Sequence, residues 1–166
     1  MIRLASINPR VVETLYVEAL VLADAARGGF DALRETTGTD SRAVIRTKPD
    51  HPVLPDDVEV MCEALRTTTR VMHCLAWLLN HRAWFAGEIS AVQLRRHGRL
   101  ISHFPASDPT IVNRLPADLA ELIHGSERLY ARIQRLETAW RAESPATPGA
   151  IERLRDRLAS NALRQA

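Results

Sequence analysis

Cys62, His73, Cys74 and His81 stand close together near the middle of the chain. Thiolate and imidazole are favoured zinc ligands, and a thiol beside a base is a candidate nucleophile. Their spacing argues against both. Ligands on one helix must lie one turn apart, and none of these residues is separated by three or four positions. His73 and His81 point about 80° apart around a helix axis. Cys74 and His81 share a face but are about 10 Å apart along it. Cys62 and Cys74 are roughly 18 Å apart on the same helix, too far to bridge. Both are expected to be free packing thiols. GxGxxG, Walker-type, GxSxG, CxxC and HExxH patterns are missing from the chain. The expectation is a non-catalytic protein with no metal and no cofactor.

The basic residues are the next candidates. Arg95, Arg96, His97 and Arg99 form the densest cluster. Nucleic-acid readers interleave aromatic residues or carry a reader motif, and neither occurs here. The cluster reads as a solvated loop or as a docking point for an acidic protein partner. Arg66, Arg70 and Arg82 lie in one helical stretch with Thr67, Thr68 and Thr69. Arg66 and Arg70 are one turn apart and could present a paired basic face to a partner. The favoured role is pairing with acids on neighbouring helices.

Three long helices are expected to position these residues. Asn8-Pro9 is a capped start, followed by Val12, Leu15, Ala19, Leu22 and Ala26 at alternating steps of three and four. Gly28-Gly29 should interrupt that helix, with a weaker stretch from Phe30 to Arg34. Pro55-Asp56-Asp57 opens the second helix, whose stripe of Met61, Leu65, Thr68, Met72, Leu75 and Leu79 is expected to face the core. Gly87 should close it. Glu88 to Gln93 is a candidate extra turn. Leu115-Pro116 opens the third helix, with Leu115, Leu119, Leu122, Ser126, Leu129, Ile133, Leu136 and Trp140 in the cleanest seam of the chain. Pro- and Gly-bearing loops are expected at about 36–55 and 94–114. The expected architecture is all-α: an antiparallel three-helix bundle over 1–142 and a flexible amphipathic tail over 143–166, with Ile151, Leu154 and Leu158 as its docking side.

The bulk properties agree. The chain has 166 residues, 22 basic and 20 acidic, and 46% hydrophobic residues. That is ordinary for one globular domain with neither polyanion-seeking charge nor disorder. Lys48 is the sole lysine. No apolar run is long enough for a membrane span, and Met1 to Arg10 lacks the apolar core of a secretion signal. A cytoplasmic protein without membrane contact is expected.

The second helix has apolar surface beyond one stripe. Val71, Leu78 and Phe85 form another at spacing seven, and Trp77 and Trp84 a third. A helix apolar nearly all round needs cover on several sides. Val71, Trp77, Leu78, Trp84 and Phe85 are therefore the expected homodimer interface, the alternative being that the Glu88 to Pro109 connection folds over them.

The stretch Leu65 to Ala83, LRTTTRVMHCLAWLLNHRA, resembles the signature helix of the RcdA family, regulators of CtrA degradation in alphaproteobacteria. The matching residues are Arg66, Thr68-Thr69-Arg70, Met72, Trp77-Leu78-Leu79 and Arg82-Ala83, with Gly87-Glu88 after them. Leu115-Pro116 and Ser126, Arg128, Leu129 and Tyr130 resemble the family's last long helix. His73 and His81 replace glutamine, and Thr67 replaces leucine. The resemblance implies a dimeric three-helix bundle with a flexible tail. It also implies an adaptor that delivers CtrA-like cell-cycle regulators to the ClpXP protease with a response-regulator adaptor, in the cytoplasm with recruitment to the cell pole. Two other classes compete: a nucleic-acid-binding regulator using Arg95 to Arg99, and a small-ligand module with a pocket near Trp77, Trp84 or Trp140.

Overall fold

The computed structural model describes residues 7–36 and 55–143. Those residues form five helices and no strand: α1 (Pro9–Thr36), α2 (Pro55–Phe85), α3 (Ala91–His97), α4 (Pro109–Val112) and α5 (Ala117–Glu143). The fold is all-α. The expected tail, including Ile151, Leu154 and Leu158, lies outside the described residues, as does the loop over 37–54.

Local chemistry sets the helix ends. Asn8 Oδ1 accepts from the Arg10 backbone N–H at 2.9 Å, starting α1 as its Asn-Pro signature requires. At the end of α2 the Gly87 N–H donates to the Trp84 carbonyl and the Glu88 N–H to the Ala83 carbonyl. This Schellman closure needs a left-handed residue, supplied by Gly87 at φ +76°. Ser90 and Gln93 close a reciprocal capping box on α3. Asp108 accepts from the Thr110 N–H at 2.8 Å to start α4.

α1 does not break at Gly28-Gly29; it runs unbroken to Thr36. The glycine serves packing instead. A Cβ on Gly29 would lie 2.6 Å from Leu119 Cδ2, so its absence lets α1 and α5 approach.

The helix directions follow from pairs along the bundle. Glu13 at the start of α1 meets Arg82 at the end of α2, and Glu18 meets Arg132. α1 is thus antiparallel to both long partners. α2 and α5 run parallel: Glu59 pairs with Arg114 just ahead of α5, Arg70 reaches Ser126, and His81 reaches Trp140. The connection through α3 and α4 returns the chain along the bundle, which makes the parallel pair possible.

The core holds Val12, Leu15, Ala19, Val71, Trp77, Leu78, Leu129 and Ile133 from all three long helices. Ala26, Phe30, Leu119 and Ile123 pack at the other end. The α1 and α5 seams face inward as the sequence spacing requires. α2 does not follow its expected register.

Candidate functional site

α2 turns a different stripe inward. Glu63, Thr67, Arg70, Cys74, Trp77 and His81 are all buried, and their steps of four and three are those of a seam. Of the stripe expected in the core, Leu75 alone is buried. Met61, Leu65, Met72 and Leu79 are 43%, 68%, 56% and 47% exposed, and Thr68 is exposed as well. Val58 extends this outward line by one step.

The expected dimer interface is corrected accordingly. Val71, Trp77 and Leu78 are between 0% and 1% exposed within the single chain. Trp84 and Phe85 are half-buried against the same core. The covering elements are α1, α5 and the connection after Gly87, whose Leu94, Leu100 and Phe104 pack onto the same core. Folding back of the Glu88 to Pro109 connection therefore covers part of these residues, and the surplus apolar surface lies elsewhere on α2.

Most of the inward polar groups are tied down, although Trp77 Nε1 and His81 Nε2 are buried without a hydrogen-bond partner. Arg70 is 2% exposed and donates to Ser126 Oγ at 2.8 Å, the Pro105 carbonyl at 3.1 Å and Ser107 Oγ at 3.1 Å. Its guanidinium sits 5.4 Å from the Phe104 ring centre. Burial pulls the Arg70 pKa below the usual arginine value, while Glu127 and Glu63 oppose the fall. Burial would raise the Glu127 carboxyl, but the Ser107 N–H, His124 and Arg70 together hold it below the ordinary range. Arg70 thus fastens a strap, residues 98–108, across α2 and α5. Tyr130 and Glu137 fasten it too: the Tyr130 hydroxyl donates to the Ile101 carbonyl, and Glu137 Oε2 accepts from the Leu100 N–H at 3.0 Å.

His81 stacks on Trp77 at 3.6 Å between ring centres and meets Trp140 edge-on at 5.5 Å. Its Nδ1 is 2.9 Å from the Trp77 carbonyl. A carbonyl only accepts, so Nδ1 carries the proton. Burial pushes the His81 pKa down to about 4; the Trp77 carbonyl works against that and Arg141 adds to it. Cys74 is buried, which pushes its thiol up to about 12 although Arg70 opposes. Such a thiol is inert at neutral pH. Cys62 is exposed and free. Among the described residues, no group of three or more His, Cys, Asp or Glu is placed to hold a metal ion.

The expected partner-binding arginines separate into two groups. Arg70 is unavailable at the surface. Arg66 pairs with buried Glu63 on its own helix, so the two do not form a paired basic face. Arg82 pairs with Glu13 of α1 at 2.7 Å and lies over Tyr16 at 4.2 Å. Arg95, Arg96 and Arg99 stand together at the opposite end of the bundle from the start of α2, with Arg96 and Arg99 exposed. Arg95 lies over Trp140 at 5.8 Å.

A prominent surface feature is the outward stripe of α2. Its Met61, Leu65 and Met72 also form one wall of a groove of about 730 Å³. Ala26 and Phe30 of α1 form the other wall, and Leu115 closes one end. Arg27 and Arg114 stand at its edge. Contiguous exposed apolar surface of this kind marks interaction sites. A strict three-four line over several turns is the surface that a second helix packs against. The chemistry this face offers is that of apolar contact, with side chains spaced as those that receive a helix. Hydrophobicity alone did not find this surface, because it assigned the stripe to the core. The usable signal was the parallel line of Glu63, Thr67, Arg70, Cys74 and His81, whose polar side chains hide a core register.

A family model described as "Protein of unknown function (DUF1465)" matches residues 4–162. Neither a search of curated proteins nor one of solved structures returned a match. Among the described residues, no helix is long and apolar enough to cross a membrane.

Proposed function

The chain belongs to the DUF1465 family, and from that premise we propose that it is a non-catalytic adaptor that works by helix-on-helix association through the outward face of α2. The supporting observation is the line of Met61, Leu65, Met72 and Leu79, each more than two-fifths exposed on a helix whose opposite side is fully packed. Completing the burial of such half-exposed side chains is worth roughly 1 kcal/mol each. A partner helix, from a second copy or from cargo, recovers that energy.

The finer reading follows the sequence resemblance to RcdA. In it the chain joins a ClpXP complex with a response-regulator adaptor and delivers CtrA-like regulators. The α2 motif supports this reading by its residue identities, and the packing of α2 adds a reason for them. Arg70, Trp77 and Leu78 are core residues, whereas Met72 and Leu79 lie on the outward stripe. The motif therefore spans both the packed face and the outward face that this reading uses for binding. The nucleic-acid and small-ligand alternatives have less support: Trp77 and Trp140 are consumed in the core.

The test is reconstituted degradation of a CtrA-like regulator by ClpXP and the response-regulator adaptor, with and without this chain. Faster loss of the regulator with the wild type, abolished by Leu65→Glu with Met72→Glu, is the expected result. No acceleration by the wild type would overturn the delivery role. Full acceleration by the double variant would overturn the role of α2.

A further inference from the structure

The second surface lies at the far end of the bundle from the groove. There the strap crosses the last turns of α5 and leaves a crevice of about 560 Å³. Gln134, Glu137, Thr138 and Arg141 line it from one face of α5, and Arg99 and Ile101 line it from the strap. Glu137 is the only acid in that lining, and both of its oxygens are engaged. Oε2 accepts from the Leu100 N–H at 3.0 Å, and Oε1 accepts from Arg141 Nε at 2.7 Å. The lining therefore carries two guanidiniums and one carboxylate, the latter already engaged. Arg99 is exposed and makes no ion pair among the described residues. Arg141 lies over the Trp140 ring at 5.6 Å and extends from there toward the crevice.

The crevice is also partly apolar. Ile101 is 47% exposed next to Arg99, although it sits on a strap held by Tyr130 and Glu137. A wall so fastened costs little further ordering when something binds.

We propose that this crevice docks an acidic segment of a partner protein, taking a carboxylate against Arg99 and Arg141 and a neighbouring aliphatic side chain against Ile101. Guanidinium and carboxylate match in geometry as well as charge. The Gln134 side-chain amide can donate to the same carboxylate, whereas the Thr138 hydroxyl already donates to the Gln134 carbonyl at 2.8 Å. Free phosphate would use the arginines and leave Ile101 in water. Nucleic acid would find no exposed aromatic ring to stack on, since Trp140 is buried. The inference extends the expected partner role of Arg99 and does not depend on the α2 surface.

A random peptide display library selected against the full chain tests it, followed by fluorescence anisotropy on the enriched peptide. Enrichment of sequences pairing Asp or Glu with Leu, Ile or Val is expected. Arg99→Glu should weaken the enriched peptide tenfold or more, Ile101→Ser several-fold, and Arg27→Glu at the distant groove hardly at all. Circular dichroism of each variant establishes that it is folded. The proposal is overturned if no peptide is enriched, if the enriched peptides lack acids, or if Arg99→Glu binds them as well as the wild type. Displacement of the peptide by millimolar inorganic phosphate or by duplex DNA would equally overturn it, by showing a general anion site. Peptides lost on Leu65→Glu instead of Arg99→Glu would assign the binding to α2.

Discussion

α2 carries two stripes of the same period, and they met opposite fates. One, with Glu63, Thr67, Arg70, Cys74 and His81, is polar in composition and lies inside. The other, with Met61, Leu65, Met72 and Leu79, is apolar in composition and lies outside. The inner stripe can be buried because most of its polar groups have partners: Arg70 meets Ser126, Ser107 and the Pro105 carbonyl, and His81 Nδ1 meets the Trp77 carbonyl, while His81 Nε2 alone of that ring is left without one. Trp77 and Leu78 add the large apolar volume beside it. The comparison teaches that a helix buries the face its neighbours can satisfy. Leaving the greasier face outside then points to a use for it in binding.

The sharpest way to break that comparison is to mutate both faces equivalently. Trp77→Ala should cost about 3–5 kcal/mol in urea unfolding, whereas Leu65→Ala should stay within about 0.5 kcal/mol. Equal losses would mean that the faces are wrongly assigned. Arg70→Ala should also cost about 3–5 kcal/mol, because it strands the buried groups that Arg70 serves. Limited proteolysis should then cut within the strap, which the wild type protects. Cutting that is no faster in the variant would remove Arg70 as the strap's fastener.

His81 gives a smaller effect with a defined sign. Its folded pKa of about 4 lies below the ordinary histidine value of 6.5. Between those values the unfolded chain binds a proton that the folded chain does not, so stability is present above pH 6.5 and falls as pH drops toward 4. The loss should reach roughly 3 kcal/mol by pH 4. His81→Gln, measured across the same range, should flatten this part of the profile. An unchanged slope would place the proton elsewhere. Smallest is Gly87→Ala, expected to cost about 1 kcal/mol because Gly87 holds a left-handed backbone. It should leave both stripes as they are.

Much of this fold was legible in the sequence. Asn8-Pro9, Gly87 and Leu115-Pro116 mark real helix ends, and the α1 and α5 seams face the core because apolar residues occupy nearly every inward step, Ser126 excepted. α2 misled because an apolar scale ranks Met61 and Leu65 above Thr67 and Arg70. It could not register that Ser126 on a distant helix would receive Arg70. Gly29 misled for a related reason: it reads as a breaker, yet its use is the approach of Leu119. Arg95, Arg96 and Arg99 were found as a cluster, but the crevice beside Arg99 also needs Ile101 and Arg141. Arg141 comes from a helix far along the chain, so local spacing could not bring the two together.

Sedimentation equilibrium of the full chain beside its Leu65→Glu, Met72→Glu variant tests the α2 surface most directly. The wild type should reversibly self-associate, and the variant should sediment as a monomer with an unchanged unfolding midpoint. A wild type that stays monomeric at tens of micromolar would contradict a second copy as the occupant of that face, and a variant that unfolds would contradict its exposure.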